Sequence, residues 1–363
     1  MLWSIFNRLD VIDIIRAKLV CSSWNSLGEE LVPRTPWLML PSKEEVEGRY
    51  DADNNAYSGL LKLGESQVCS PKKIPKEFRE SCCIGSSNGW LIFLEEKAMP
   101  FLFHPFRRVK IRLPSLYAML GLQRMERKAD GVYDISYFED SEDYFRLITC
   151  QHKKQHLREY FMQKAILTGE PDCNNKKYGG FMRKIRYIEP PFPEKSLAKR
   201  NSLGDLCASR LYLVESCGDI LLRVRFIGEF VESDGTLISE EDALYGIGIQ
   251  PKVCPYRTFL FHVHKLDFIE LKWVEMNSLD DCALFLGGNQ SVSVSVQSFA
   301  NCEKNSIYYT DDYWDRMTED YSYGGHDLGK YNLNDGSVKP IYEFSLDNVL
   351  PPPCWIIPNP KPC

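Results

Sequence analysis

The chain has no Cys-x-x-Cys pair, no run of 18 apolar residues, no excess of basic charge, and too little Pro or Gly to argue disorder. Each absence excludes something. Its 13 cysteines are odd in number and scattered, so they read as free thiols, most of them small buried hydrophobes, in a reducing compartment. Cytoplasm or nucleus is the expected location. With 44 basic and 50 acidic residues the net charge is −6, which leaves no footprint for nucleic acid or an anionic membrane. The lack of a long apolar run argues against a transmembrane helix. The opening MLWSIFNRLDVIDIIRAK is interrupted by Asn7, Arg8, Asp10 and Asp13, and it lacks the basic start and small-residue cleavage site of a signal peptide.

What is present is ordinary globular composition, 44% hydrophobic and 12% aromatic over 363 residues. That is enough for two or three domains, or for a small module attached to a large β-domain. Ile14, Ala17, Val20, Cys21, Trp24 and Leu27 recur at helical spacing over 10–27, with Asp10 a candidate N-cap and Asp13 in the first turn. Leu2, Ile5, Phe6 and Leu9 repeat the spacing just before it, which predicts a helical hairpin.

Beyond Pro36 the texture changes to short runs rich in β-branched and aromatic residues, divided by Gly, Pro, Asn, Asp and Ser. These are strands of a mainly β protein, a sandwich, barrel or propeller. Gly218-Asp219 and Asn334-Asp335-Gly336 mark hairpins, and SVSVSV at 291–296 reads as a half-exposed strand. FLFHPFRRVKIRLP, FLFHVHKLDFIELKWVEM and YNLNDGSVKPI share a strand, a turn and a second strand. Such weak repetition points to radial blades. Residues 121–206 are charge-rich and read as irregular, with strands around VYDISYF and YFRLITC and a helix near 154–167. In the Pro-rich end LPPPCWIIPNPKPC, Trp355, Ile356 and Ile357 are anchors, and 358–363 is a tail.

Candidate chemistry is sparse. His262 and His264 fall on one face of a strand, but no third ligand is signposted, so they read as surface residues rather than a metal pair. Cys82 and Cys83 alternate across a strand and read as packing residues. GSSNGW at 85–90 matches neither a phosphate loop nor a serine elbow and reads as a tight turn. Asp311, Asp312 and Asp315 lack the Gly and closing Glu of a calcium loop and read as a solvated connection. KKYGGFMRK at 176–184 contains an opioid pentapeptide, a coincidence in a chain with no secretory signal. No catalytic residue, metal or cofactor is expected, and the protein is not expected to be an enzyme.

Leu2, Ile5, Arg8, Leu9, Asp13, Arg16, Val20, Cys21 and Trp24 fall at the spacing L-x2-I-x2-R-L-x3-D-x2-R-x3-V-C-x2-W. That pattern resembles the central and C-terminal parts of a plant F-box. PWLML, CCIGSSNGWLIFL, LFHPFRRVKIRLP, RLYLVESCGDILLRVR, LDDCALFLGGNQSVSV, NSIYYTDD, DLGKYNL and PPPCWIIP resemble the F-box-associated β-propeller domain of plants, formerly a domain of unknown function. The resemblance implies a partial helical F-box at 1–32 and a β-propeller-like substrate-recognition domain at 37–357. It implies docking on a Skp1-like adaptor, and through it on cullin, with the propeller selecting a target protein for ubiquitination. By the same resemblance Leu2, Ile5, Leu9 and Val20 contribute to the Skp1-facing or box-core surface, and Cys21 and Trp24 pack within the box. The Leu-Pro pair that opens such boxes has no counterpart before Leu2, so the box is expected to be truncated at its start. No Trp lies between Trp90 and Trp273, where the family carries one, so a blade there is expected to be lost, degenerate or mis-spliced. Two alternatives stay open: a propeller interaction protein that no longer binds Skp1, and a propeller hydrolase.

Overall fold

The computed structural model describes residues 2–6, 8–9, 13–14, 17–18, 20–31, 36–41, 57–63, 68–69, 81–87, 89–95, 99–105, 109–113, 124–127, 132–141, 144–153, 190–232, 235–239, 241–242, 256–298, 301–317, 324–344, 349 and 352–356. They fall into two compact units, one of residues 1–173, 288–290 and 354–363, the other of 174–287 and 291–353. The expected helix near 154–167, the 176–184 segment, Ile357 and the 358–363 tail lie outside the described residues. Among the described residues no helix is long and apolar enough to cross a membrane.

The first unit opens with α1 (Leu2–Phe6) and α2 (Ser22–Leu31). Asp13, Ile14 and Ala17 are helical between them, and the Lys18 N–H donates to Ile14 O at 3.0 Å. Next come β1 (Trp37–Pro41), β2 (Tyr57–Lys62) and β3 (Val68–Cys69). On the other side of β1 lies β20 (Cys354–Ile356), so the first sheet has the order β20-β1-β2-β3. The register is antiparallel, with Trp37 opposite Ile356 and Leu38 opposite Trp355. All five residues of β1 and all three of β20 are buried. This explains why neither shows period-two patterning: a strand covered on both faces has no polar side to present.

A second antiparallel sheet runs in chain order through β4 (Cys82–Ser87), β5 (Trp90–Leu94), β6 (Pro100–His104) and β7 (Val109–Arg112). Ser87 pairs with Trp90, so GSSNGW is a tight turn, with Gly89 at φ 79 where a side chain is strained. Phe93 stacks on Phe101 at 5.3 Å between ring centres, and Trp90 meets His104 edge-on at 5.1 Å. The third sheet, β8 (Arg124–Arg127), β9 (Val132–Ser141) and β10 (Tyr144–Lys153), lies in the segment that reads as irregular. Its two long strands match VYDISYF and YFRLITC in a ten-residue antiparallel register.

A polar tie centred on Asn289 also holds this unit together. The Asn289 side chain donates to Trp355 O at 2.6 Å and accepts from Trp355 N–H at 3.3 Å, while its backbone O accepts from Ser86 N–H at 3.1 Å. Ser86 Oγ donates to Trp355 O at 3.1 Å. One buried amide thus closes the backbone groups of β20 that β1 leaves over.

The second unit begins with α3 (Glu194–Leu203), which leads to β11 (Cys207–Ser216), β12 (Asp219–Gly228), β13 (Arg257–Asp267) and β14 (Lys272–Glu275) in one antiparallel meander. Its last sheet has the order β16-β15-β17-β18-β19, made of β15 (Cys282–Leu286), β16 (Ser291–Ser295), β17 (Ser306–Tyr309), β18 (Gly329–Asn332) and β19 (Val338–Pro340). All its pairings are antiparallel except β15 with β17. A short helix, α4 (Trp314–Met317), lies between β17 and β18 in sequence. The three repeated motifs have one structural meaning: β6-β7, β13-β14 and β18-β19 are the terminal hairpins of their sheets. SVSVSV forms β16, half-buried as its alternation predicts.

Candidate functional site

The N-terminal helices have two unlike sides. Inward, Phe6 is fully buried and meets Trp24 edge-on at 5.3 Å. Ile14 is buried with it, and Leu9, Ala17, Trp24 and Leu27 pack half-buried on a core shared with Trp37, Met39, Phe93 and Ile356. Contact is tight: a Cβ on Gly28 of α2 would sit 2.3 Å from Lys18 Cγ. Outward, Leu2, Trp3, Ile5 and Val20 are exposed, Trp3 at 55% and Val20 at 65%. Leu2 and Ile5 are three apart and share one side of α1. A helical segment anchored by one apolar face thus leaves large apolar side chains on the other in contact with water. Covering the exposed half of Trp3, on the order of 130 Å², is worth about 3 kcal/mol before association costs.

The anticipated box residues therefore divide. Leu2, Ile5 and Val20 face out, and Leu9 and Trp24 face the core. Cys21, expected to pack within the box, is exposed: it precedes the first turn of α2, and its carbonyl accepts from Asn25 N–H at 2.9 Å. Trp3 was not anticipated, because it stands outside the three-and-four spacing that Leu2, Ile5 and Leu9 follow.

In the second unit two polar clusters lie buried where the sequence suggests surface. Arg225, fully buried on β12, donates from Nη1 to Asp312 Oδ1 at 3.0 Å and from Nη2 to Asp327 Oδ2 at 2.8 Å. It also donates from Nε to Thr258 Oγ1 at 2.6 Å and from Nη1 to Thr310 O at 2.9 Å, and it stacks 4.5 Å over Tyr309. Tyr212 donates to Asp312 at 2.8 Å, and Tyr256 donates to Asp311 at 2.7 Å. Asp311 and Asp312 are thus core residues rather than a solvated connection; the charge of Arg225 makes their burial tolerable. Burial, then Asp327, pushes the Asp311 carboxyl up to about 6. Burial alone would lower the Arg225 guanidinium, but Tyr212, Asp327 and Asp312 override it and hold it well above the usual arginine range.

The second cluster corrects the reading of His262 and His264. They do share a face of β13, but α3 covers them: His264 is 2% exposed, and Ser196 Oγ of α3 lies 2.9 Å from both His262 Nδ1 and His264 Nε2. A hydroxyl has one proton to give, so at least one of the two rings donates its N–H to Ser196 Oγ. Burial and the neighbouring His262 push His264 down to about 4. Among the described residues no group of three His, Cys, Asp or Glu is placed to hold a metal.

Comparison with known proteins gives this arrangement a family. The family described as F-box domain matches residues 1–32, and the KIB1-4 beta-propeller family matches 60–184 and 181–332, about three quarters of the chain. The F-box/kelch-repeat protein KIB1 of Arabidopsis thaliana is 23% identical over 371 residues, 95% of this chain and 82% of that protein. The F-box protein KIB4 of the same plant is 29% identical over 146 residues, 37% of this chain and 34% of that protein. A further Arabidopsis thaliana F-box protein is 29% identical over 143 residues, 38% of this chain and 34% of that protein. The chain thus spans about a third of the length of these last two relatives. No solved structure matches the chain. The chain belongs to the KIB1-4 β-propeller family, with an F-box at residues 1–32.

Proposed function

We propose that the protein is the substrate-recognition adaptor of a Skp1-cullin-F-box ubiquitin ligase. The F-box at 1–32 docks on a Skp1-like subunit, and the propeller, taken as 37–357, presents a target protein to the ubiquitin-charged partner bound through cullin. Catalysis belongs to the other subunits, and the complex works in the cytoplasm or nucleus. The observation that carries this reading is the two-sided box: Phe6, Ile14 and Trp24 fix it to the core while Leu2, Trp3, Ile5 and Val20 stay bare. Such a surface is costly to leave in water and is the usual form of a helical docking face.

The test is co-purification of the full chain with a plant Skp1-like protein, followed by isothermal titration. Wild-type chain binds, and the pair Trp3→Asp and Ile5→Asp weakens binding at least tenfold while the thermal unfolding curve is unchanged, because both side chains are solvent-facing. Undiminished affinity in the double variant refutes the assignment of this face, and absence of binding by the wild-type chain refutes the adaptor role.

A further inference from the structure

We propose that Cys217 and Cys282 form a dithiol site that peroxide oxidises to a disulfide, locking two sheets of the second unit together. Three features place the pair. The turn joining β11 to β12 consists of Cys217 and Gly218, with Ser216 paired to Asp219 across it. The Ser216 hydroxyl lies 2.8 Å from that of Ser293 on β16, so the end of β11 is held against β16. On the sheet face that carries Ser293, the next residue along β16 is Ser295, and the residue opposite Ser295 is Cys282. Cys217 directly follows Ser216, so Cys217 and Cys282 lie at the same meeting of β11 with β16, and Cys282 is near enough to raise the Cys217 thiol.

The residue choice at the turn is a second, independent pointer. Cys217 has φ 54 and Gly218 φ 87, a two-residue turn with both positions left-handed, where Asn, Asp or Gly is the unstrained choice. Here a cysteine takes the strained position, exposed at the tip, while Cys282 is half-buried at the start of β15. Both are free thiols.

The chemistry balances with peroxide as the oxidant. The Cys217 thiol gives up its proton, the thiolate attacks one peroxide oxygen, the O–O bond breaks, and the departing hydroxide takes that proton to leave as water, with Cys217 as the sulfenic acid. Cys282 sulfur then displaces the hydroxyl from that sulfur, and with its thiol proton this group departs as the second water. Two thiols lose two electrons, and one peroxide becomes two waters. Proximity of Cys282 raises the Cys217 thiol, so the first step quickens as pH rises toward the thiol range.

The test uses the full chain, reduced, desalted, exposed to hydrogen peroxide, alkylated, and digested with trypsin and chymotrypsin without reduction. Cleavage after Phe285 separates Cys282 from Cys302. The expected result is a cross-linked peptide joining Cys217 to Cys282, lost on reduction and absent from Cys217→Ser, Cys217→Asn and Cys282→Ser. The Asn variant suits the left-handed turn and so tests the thiol without straining the fold. Formation of the bridge raises the melting temperature of the wild-type chain by about 5 °C or more and leaves that of the variants unmoved. The proposal is overturned if Cys282 stays alkylated while Cys217 is recovered as the sulfinic or sulfonic acid, or if Cys217 is bridged mainly to another cysteine.

Discussion

Replacing Arg225 with Leu tests the account of the buried charge cluster most directly. The substitution is close in volume to the aliphatic part of the arginine and removes six hydrogen bonds to five residues, Asp312, Asp327, Thr258, Thr310 and Tyr212. What it leaves behind matters more than what it removes. Asp312 and Asp327, 9% and 2% exposed, lose the cation that pairs with both of them. Breaking a buried pair from one side costs about 3–5 kcal/mol. A unit of roughly 180 residues loses about 2–4 °C per kcal/mol, so its melting temperature falls by about 6–20 °C. Urea unfolding followed by tryptophan fluorescence and by amide exchange in β12 and β13 measures the loss. Adding Asp312→Asn and Asp327→Asn to Arg225→Leu recovers part of it, because the stranded charges go. The exposed pair Lys265 and Asp219, 2.7 Å apart, is the control; Lys265→Ala changes stability by less than about 1 kcal/mol. A loss below about 1 kcal/mol for Arg225→Leu would show that the cluster is not held by charge compensation.

Two further outcomes follow from neighbouring residues. Arg223 is as buried as Arg225, yet among the described residues its Nε and Nη2 have no partner, and burial brings it down to about 9; Arg223→Met is expected to raise the urea midpoint, by about 1–4 kcal/mol of stability, and a drop would mean that the guanidinium is satisfied by a bound anion or water. His264 sits at about 4 in the folded chain against an ordinary 6.5, so the unfolded chain binds the proton first and stability is lost as pH falls from about 6.5 toward 4, by on the order of 3 kcal/mol. The groups around it are Ser196, His262, Glu275, Lys195 and Arg223. His264→Asn should flatten this part of the stability-pH curve, and an unchanged slope would place the titrating group elsewhere.

The sheets were legible because their signals are local. Ten-residue β11 and β12 announce themselves through LYLVES, a Gly turn and ILLRVRF, and the three terminal hairpins repeat one strand-turn-strand pattern. The box was legible through its register of nine residues. What stayed hidden depends on partners distant in sequence. Helix α3, EKSLAKRNSL, has no apolar stripe; its buried residue is Ser196, a small hydroxyl whose purpose appears only when His262 and His264 lie beneath it. Asp311 and Asp312 look like a solvated run because the cation that compensates them, Arg225, stands 86 and 87 residues upstream, while the nearer Arg316 pairs with Glu229. Trp3 escaped notice for the opposite reason: exposure of a large side chain is a property of the surface, and periodicity describes only the buried side.

The pairing of β1 with β20 also sets a timetable for the ribosome. Pro41 leaves roughly 310 residues ahead of Cys354, which at about 5–20 residues per second is on the order of 15–60 seconds. During that interval the sequence WLML has one unpaired edge and apolar side chains on both faces, the profile of a chaperone client. Loss of β20, by proteolysis or an early stop codon, would make that condition permanent, so a chain without this strand carries its own mark for disposal.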